Sequence, residues 1–453
     1  LAGGHQSLEQ RSDALKIDFT CFGQRDTAGG ALQKPNAESL LQVLDAPGYD
    51  SSVAVEPSAS CVEGAIFGNG DEGSQTFNIG QRRQLLHKSQ IYTAIYRHST
   101  KLLQRSHCKH SNLPKGMHMQ AITLNGPSLD LLTRVELPDP LPPGHGQVLV
   151  RMHAASLNFI DLAVAFGKYP GISFPLVPIA DGVGEIIAIG DDVLDLAVGD
   201  RVALHPKTIW FAGRGTIEKA NATRGVSRPG SLIEIATVDA GSVVKVAEHL
   251  SWEAAATVPI AATTAWNALV CADVGPGSTV VFLGTGGVSI FGLQLAKARG
   301  ARAIVTSSSD EKLELARKLG ADETINYNES PDWDLQVLKL TSGLGADLVL
   351  DTVGTATFTR SLSAARYGGV IFTIGFVTGT NLQIDLMPII VKALRIQGNN
   401  TGSAEDFGKV MQAIKAARID PVVAETFSVG DVAEAYHAQS NGPVGKLAVR
   451  LDW

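Results

Sequence analysis

The chain has 453 residues, enough for two or three domains, because one hydrophobic core stops growing near ~250–300 residues. With 44% hydrophobic and 18% charged residues it is too apolar for a disordered chain, and no run approaches the ~18 uncharged apolar residues of a membrane span. A formal charge of −7 argues against nucleic acid as the main partner.

Residues 1–116 differ from the remainder. Up to about residue 80 they are rich in Gly, Ser, Gln and Ala, with no sustained period of 2 or 3.6. Residues 73–116 carry eight Lys or Arg, four His and no carboxylate. There Leu85, Leu86, Tyr92, Ile95, Leu102 and Leu103 recur at helical spacing beside Arg82, Arg83, Lys88, Arg97 and Arg105. A basic amphipathic helix would suit an anionic membrane or an organellar targeting sequence. It is internal, however, and Met117-His118-Met119 follows at once, so 1–116 is expected to be a disordered extension or sequence outside the native protein. Cys21, Cys61 and Cys108 fall in this leader, leaving Cys271 alone in the body. One cysteine forms no internal disulfide, so a reducing, cytoplasmic compartment is expected.

From 120 to about 246 the pattern is short strands divided by Gly and Pro, at 120–124, 147–155, 181–190, 200–204, 232–238 and 243–246. One helix is expected near 158–166. Many short strands with turn signals between them suggest a barrel-like β unit. After residue 250 the texture changes. Helices at 252–256 and 261–271 lead into alternating strands and helices, with strands at 279–283, 303–306, 324–325, 347–351 and 370–374. Their helices are placed up to 299, at 311–319 and at 335–340. Apolar strands alternating with helices imply crossover connections and a parallel sheet covered on both faces. The segment 444–450 is strand-like again and is expected to return to the β unit.

The strongest motif is Gly284-Thr-Gly286-Gly287-Val288-Ser289, which follows a buried strand and opens a helix. This is the context a dinucleotide turn requires. Gly284 permits the sharp turn, Gly286 lets the backbone approach a pyrophosphate, and the helix offers its unpaired N–H groups to that anion. Ser289 stands where a third Gly or Ala is usual. A carboxylate about 20 residues further on would grip the ribose 2′-OH of NAD. This chain has Ile304-Val-Thr-Ser307-Ser-Ser309 there, with Lys312 one turn into the next helix. Hydroxyls and a cation suit a 2′-phosphate, so NADP(H) is expected over NAD(H), with Asp310 as the residue that would reverse the choice.

Five motifs then occur in order: Leu157-Asn158-Phe-Ile-Asp161, Pro178-Ile-Ala180-Asp181-Gly-Val-Gly184, Val198-Gly-Asp200-Arg-Val, the glycine-rich turn, and Leu319-Gly-Ala-Asp322. Together they resemble the medium-chain dehydrogenase/reductase superfamily, and within it the zinc-independent alcohol dehydrogenase-like and quinone oxidoreductase-like members. The resemblance covers 119–453 and implies an α/β protein: a GroES-like β-barrel catalytic domain plus a Rossmann doubly wound parallel sheet. The expected boundaries are 117–249 and 398–453 for the first, and 250–397 for the second.

Zinc is where the chain departs from much of that family. A Cys of the zinc enzymes is replaced by Asn158, and their His-Glu pair by Ala180-Asp181. The four-cysteine stretch of the second zinc would fall between Arg201 and Ile233, where there is no Cys. Six His remain in the body, at 118, 145, 153, 205, 249 and 437, too scattered for a ligand pattern, so no metal is expected.

The resemblance also implies site residues. Asn158 and Asp161 match an Asn-x-x-Asp segment beside the nicotinamide. Asn158 would donate to the substrate oxygen or orient a water, or else serve as a helix N-cap. Asp161 would hold the first turn. Tyr169 matches a proton-donating tyrosine of enoyl reductases, with plain packing as its alternative. Thr264, Tyr327, Gly375, Phe376 and Asn400 match cofactor contacts, and Trp210 and Phe211 are candidates for an apolar pocket wall. Without a Lewis acid, polar donors must support the charge that hydride transfer creates. The expected activity is therefore NADP(H)-dependent reduction of a quinone, enone or other activated carbonyl. The alternatives are a zinc-free alcohol dehydrogenase acting on aldehydes or ketones, and an NADPH-binding protein without turnover. Apolar segments such as 369–377 would extend a sheet across a homodimer, as in members of that family, or else form a buried strand.

Overall fold

In a computed structural model of the chain, residues 118–453 are described; the leader 1–116, with its basic segment, lies outside them. Strand β1 (His118–Leu124) pairs antiparallel with β2 (Leu132–Pro138), Ala121 opposite Val135. The sequence reading assigned no strand at 132–138. There only Leu132, Val135 and Leu137 are even half-buried, and β2 pairs with β1 alone, so the alternation is faint.

The first lobe is built on β3 (Gln147–Ser156), β4 (Asp181–Ile189), β5 (Arg201–Leu204), β6 (Ile235–Asp239) and β7 (Val243–Lys245). β3 pairs antiparallel with β4 and with β6, β4 with β5, and β5 with β7. Val148, Val150, Met152, Ile186, Val202 and Leu204 point into one core with Leu124 and Leu232. Each strand gives that core roughly alternate residues, which is why the stretch reads as short, interrupted strands.

The second lobe is a six-stranded parallel sheet of β8 (Thr279–Leu283), β9 (Arg302–Ser307), β10 (Glu323–Asn326), β11 (Ala346–Asp351), β12 (Ala365–Thr373) and β13 (Arg395–Gly398). Its order is β10-β9-β8-β11-β12-β13. Val280 and Phe282 join one core while Val281 and Leu283 join another on the opposite face. Burial on both faces explains the unbroken apolar run of β8. The helix Gly287–Ala298 leads from β8 toward β9, and the helix Asp310–Lys318 leads from β9 toward β10.

The chain then returns. The helix Ala404–Ala417 buries Phe407, Val410, Met411 and Ile414 with Val280 and Phe282. After it, β14 (Val423–Ser428) runs parallel to β15 (Lys446–Arg450), and β15 lies antiparallel to β3, Val449 opposite Ala155. The expected late return to the β unit is therefore made by β15.

Candidate active site

The helix Phe159–Ala165 starts where β3 ends, and its fully buried Asp161 fixes that start. Asp161 Oδ2 accepts from Asn158 N at 2.7 Å and Oδ1 from Ala180 N at 2.9 Å. One carboxylate thus ties the helix start to the segment leading into β4. Burial pushes its pKa up to about 6, opposed by those backbone donors and by the charge of Lys446.

Asn158 is the next layer and is 8% exposed. Its Nδ2 donates to Asp181 Oδ2 at 2.9 Å, and its Oδ1 accepts from Lys446 Nζ at 2.5 Å. Lys446 Nζ also donates to Leu157 O at 2.5 Å and lies 3.8 Å from Asp181 Oδ2. Asp181 Oδ2 accepts in addition from Ile260 N, while its Oδ1 has no hydrogen-bond partner among the described residues. Burial raises the Asp181 pKa and lowers that of Lys446, each opposed by the charge of the other. Tyr436 is buried beside this cluster, its hydroxyl unpartnered among the described residues.

Lys446 heads β15 and touches the other lobe as well. Gly445 N donates to Thr285 O at 2.9 Å. A Cβ on Gly287 would fall 2.5 Å from Lys446 Cδ, so the side chain crosses the glycine-rich turn where only glycine leaves room. Sequence reasoning placed Asp181 only as a substitute for a zinc-enzyme residue and missed Lys446. The available signal was a lysine opening an otherwise apolar strand, Lys446-Leu-Ala-Val, whose four residues are all buried.

The glycine-rich turn has the expected form. Gly284 stands at φ +76°, a conformation that L side chains rarely adopt. No side chain caps the helix Gly287–Ala298, so the N–H groups of Val288 and Ser289 are available to an anion, while Gly286 bridges to Gly445. Ser289 turns its hydroxyl inward to Leu283 O at 2.8 Å.

The other expected cofactor residues gather mostly at the carboxyl ends of the parallel strands. Ser307 ends β9 opposite Asn326 of β10, and Tyr327 N donates to Ser307 O. Ser309 precedes the helix Asp310–Lys318, and Lys312 Nζ reaches Gly442 O at 3.0 Å. Asp310 Oδ1 accepts from Asn326 Nδ2 at 3.0 Å, which holds that carboxylate in the first turn of its helix. Gly375 follows β12 and donates its N–H to Asp351 O at the end of β11. Asn400 follows β13 and is exposed. Thr264 alone stands off these ends, buried within the helix Val258–Cys271.

Two aromatic residues meet between the lobes: Phe159, next to Asn158, and Phe376 stand edge to face with centroids 5.0 Å apart. Tyr169 is half-buried in the loop after the helix Phe159–Ala165, and its hydroxyl bonds to no described residue. The structure does not join it to the Asn158 cluster. Trp210 and Phe211 give their carbonyls to Ala404 N and Glu405 N, which caps the helix Ala404–Ala417. His205 is fully buried, with Nε2 near Gly402 O, and burial lowers its pKa to about 3. Among the described residues no group of three or more His, Cys, Asp or Glu is placed to hold a metal ion.

A parallel sheet with a glycine-rich turn, joined to a β lobe whose buried polar cluster abuts that turn, defines a nucleotide-dependent oxidoreductase. Family comparison agrees. Residues 144–248 match the alcohol dehydrogenase GroES-like domain, and 287–416 match the zinc-binding dehydrogenase domain. A zinc-type alcohol dehydrogenase-like protein of Schizosaccharomyces pombe is 40% identical over 326 residues, 70% of this chain and 94% of that protein. An acryloyl-coenzyme A reductase of Metallosphaera sedula is 30% identical over 338 residues, 73% of this chain and 99% of that protein. Among solved structures, a putative alcohol dehydrogenase from Sinorhizobium meliloti 1021 superposes with a TM-score of 0.70 at 36% identity, covering 74% of this chain and 99% of that one. The chain belongs to the medium-chain dehydrogenase/reductase superfamily and is an oxidoreductase of its alcohol dehydrogenase-like kind.

Proposed function

We propose that this protein is an NADP(H)-dependent reductase passing hydride to a quinone, an enone or another activated carbonyl, without zinc. The observation that carries the reading is the ammonium of Lys446 on Asn158 and beside Asp181, at the positions that match zinc-site residues in the zinc enzymes. A zinc ion would need about three lone-pair donors there. Asn158 already spends its carbonyl oxygen on a cation, and Ala180 offers no donor at all. The residues present do not fit a catalytic zinc. An acceptor reduced here must therefore be activated by its own conjugation and by polar side chains, which favours quinones and enones. That the similar Metallosphaera protein is named a reductase of acryloyl-coenzyme A, a conjugated acyl group, supports the same preference.

The site does fit a dinucleotide. The open N-terminus of the helix Gly287–Ala298 would take its pyrophosphate, and Ser307, Ser309, Lys312 and Tyr327 would surround a 2′-phosphate. Asp310, already bonded to Asn326, is poorly placed to grip a ribose 2′-OH. When bound, the nicotinamide supplies the hydride. Asn158 then orients the acceptor oxygen or a water, and Phe159 with Phe376 screens the site from solvent.

Fluorescence titration of the full chain tests this reading. NADPH should bind about tenfold or more tightly than NADH, and Lys312→Ala should remove that preference by weakening NADPH alone. Equal weakening for both nucleotides overturns the phosphate assignment. NADPH consumption with 1,4-benzoquinone, crotonaldehyde and butanal then ranks the acceptors. Preference for butanal favours the zinc-free alcohol dehydrogenase reading, and tight NADPH binding without turnover favours a binding protein.

Three further readings complete the proposal. We place the lobe boundaries at 249 and at 398, the residue that closes β13. A cytoplasmic location rests on the single cysteine of the body, and no helix of the described residues is long and apolar enough to cross a membrane. A homodimer is supported by β13, which ends the parallel sheet, with Ile396, Leu386, Met387, Ile390 and Val391 exposed around it.

A further inference from the structure

Lys446 is 4% exposed, and a buried ammonium is retained only where its charge and its three protons are accounted for. Two protons go to Leu157 O and Asn158 Oδ1. The distance of 3.8 Å to Asp181 Oδ2 is too long for a hydrogen bond, so one N–H remains unspent. The side chain is gripped from the dinucleotide side too, because its methylenes cross Gly287. The ammonium therefore sits between the turn that would hold the reductant and the Asn158 side of the site. Its hold on Asn158 Oδ1 also fixes which end of that amide is the donor, so that Nδ2 faces Asp181.

We infer that Lys446 is the fixed cation of this site, whose ammonium, tied to Leu157 and Asn158 and lying beside Asp181, attracts the oxyanion formed on the acceptor when hydride is delivered. This rests on the hydride transfer proposed above. As hydride reaches the β-carbon of an enone, a C–H bond forms there and the π electrons move to the carbonyl oxygen. The dinucleotide leaves oxidised, and water later protonates the enolate. A positive charge near that oxygen in a low-dielectric site stabilises it far more than the same charge in water. The charged and polar groups facing Lys446 are Asp181, Asp161, Asn158 and the carbonyl of Leu157. The competing explanation is that Lys446 merely balances Asp181.

The two explanations separate with 4-nitrophenol, whose coloured phenolate mimics the oxyanion, added to the full chain saturated with NADP+. The wild type should favour bound phenolate about tenfold over solution, seen as colour below the phenol's ordinary pKa. Lys446→Arg should keep the effect. The double variant Lys446→Met/Asp181→Asn removes cation and anion together, so it should keep wild-type thermal stability. It should still lose the phenolate preference, and kcat for crotonaldehyde should drop at least about 30-fold with KM little changed. Absence of phenolate capture by the wild type overturns the inference, as does undiminished capture or wild-type kcat in the double variant. A wild type that captures phenolate yet reduces neither quinone nor enone overturns the reductase reading alone.

Discussion

Asp161 keeps both carboxylate oxygens on backbone donors although only 1% of the residue is exposed. Burial outweighs those donors and raises its folded pKa from 3.8 to about 6. A raised carboxylate pKa favours folding fully below the unfolded value, and that contribution fades as pH rises through the folded one. The unfolding free energy of the wild type minus that of Asp161→Asn should therefore fall between about pH 4 and pH 6 and then level off. Urea titrations across that range check it, and a difference that grows with pH would contradict the assignment. The Asn158–Asp161 pair was legible through its resemblance to the Asn-x-x-Asp segment of the superfamily. Lys446 was not, because a lysine near the chain's last strand has no local pattern that says it is buried. Its partners lie 288 and 289 residues away.

At the scale of elements, legibility followed burial on both faces. Strand β8 was read with its observed bounds because apolar neighbours on either side demand an uninterrupted run. The helix Met387–Val391 was not assigned. Its Met-Pro-Ile-Ile-Val reads as strand by β-branching, and most of it is exposed, so no amphipathic period marks it. The helix Ala404–Ala417 was also missed, although its start is well signed. Ser403 Oγ accepts from Asp406 N at 3.1 Å, and Asp406 Oδ2 accepts from Ser403 N at 3.0 Å. Ser403→Ala should cost about 1 kcal/mol of stability in thermal or urea unfolding. Because this helix packs beside the parallel sheet and away from Asn158, NADPH affinity should change less than about twofold. A large loss of affinity would mean that the cap helps to set the cleft.

For the whole molecule, the order of motifs carried the two-lobe architecture, and the structure adds how the lobes are joined. Core residues Ala154, Val183 and Ala203 of the β lobe share one cluster with Val280, Phe282 and Phe407. No sequence period reports such a seam, since each residue already satisfies the pattern of its own strand. The exposed apolar group around β13 leads to a prediction at this scale. Ile390→Asp should convert a dimer into a monomer in sedimentation velocity while leaving NADPH affinity within about twofold, because Ile390 is remote from the glycine-rich turn in the sheet order. A wild type that sediments as a monomer would leave that surface unassigned.

The placement of Lys446 at the head of β15 has a consequence for biosynthesis. A ribosome that has translated the glycine-rich turn and Asn158 has made both halves of the cleft, yet the ammonium that lies against each is still unmade. The enzyme should consequently stay dormant on the ribosome until the segment that pairs with β3 has left the exit tunnel. A nascent chain arrested before residue 446 should be open to proteases at the β lobe, whose core takes Val449 and Leu451, while the parallel-sheet lobe, already complete, resists them.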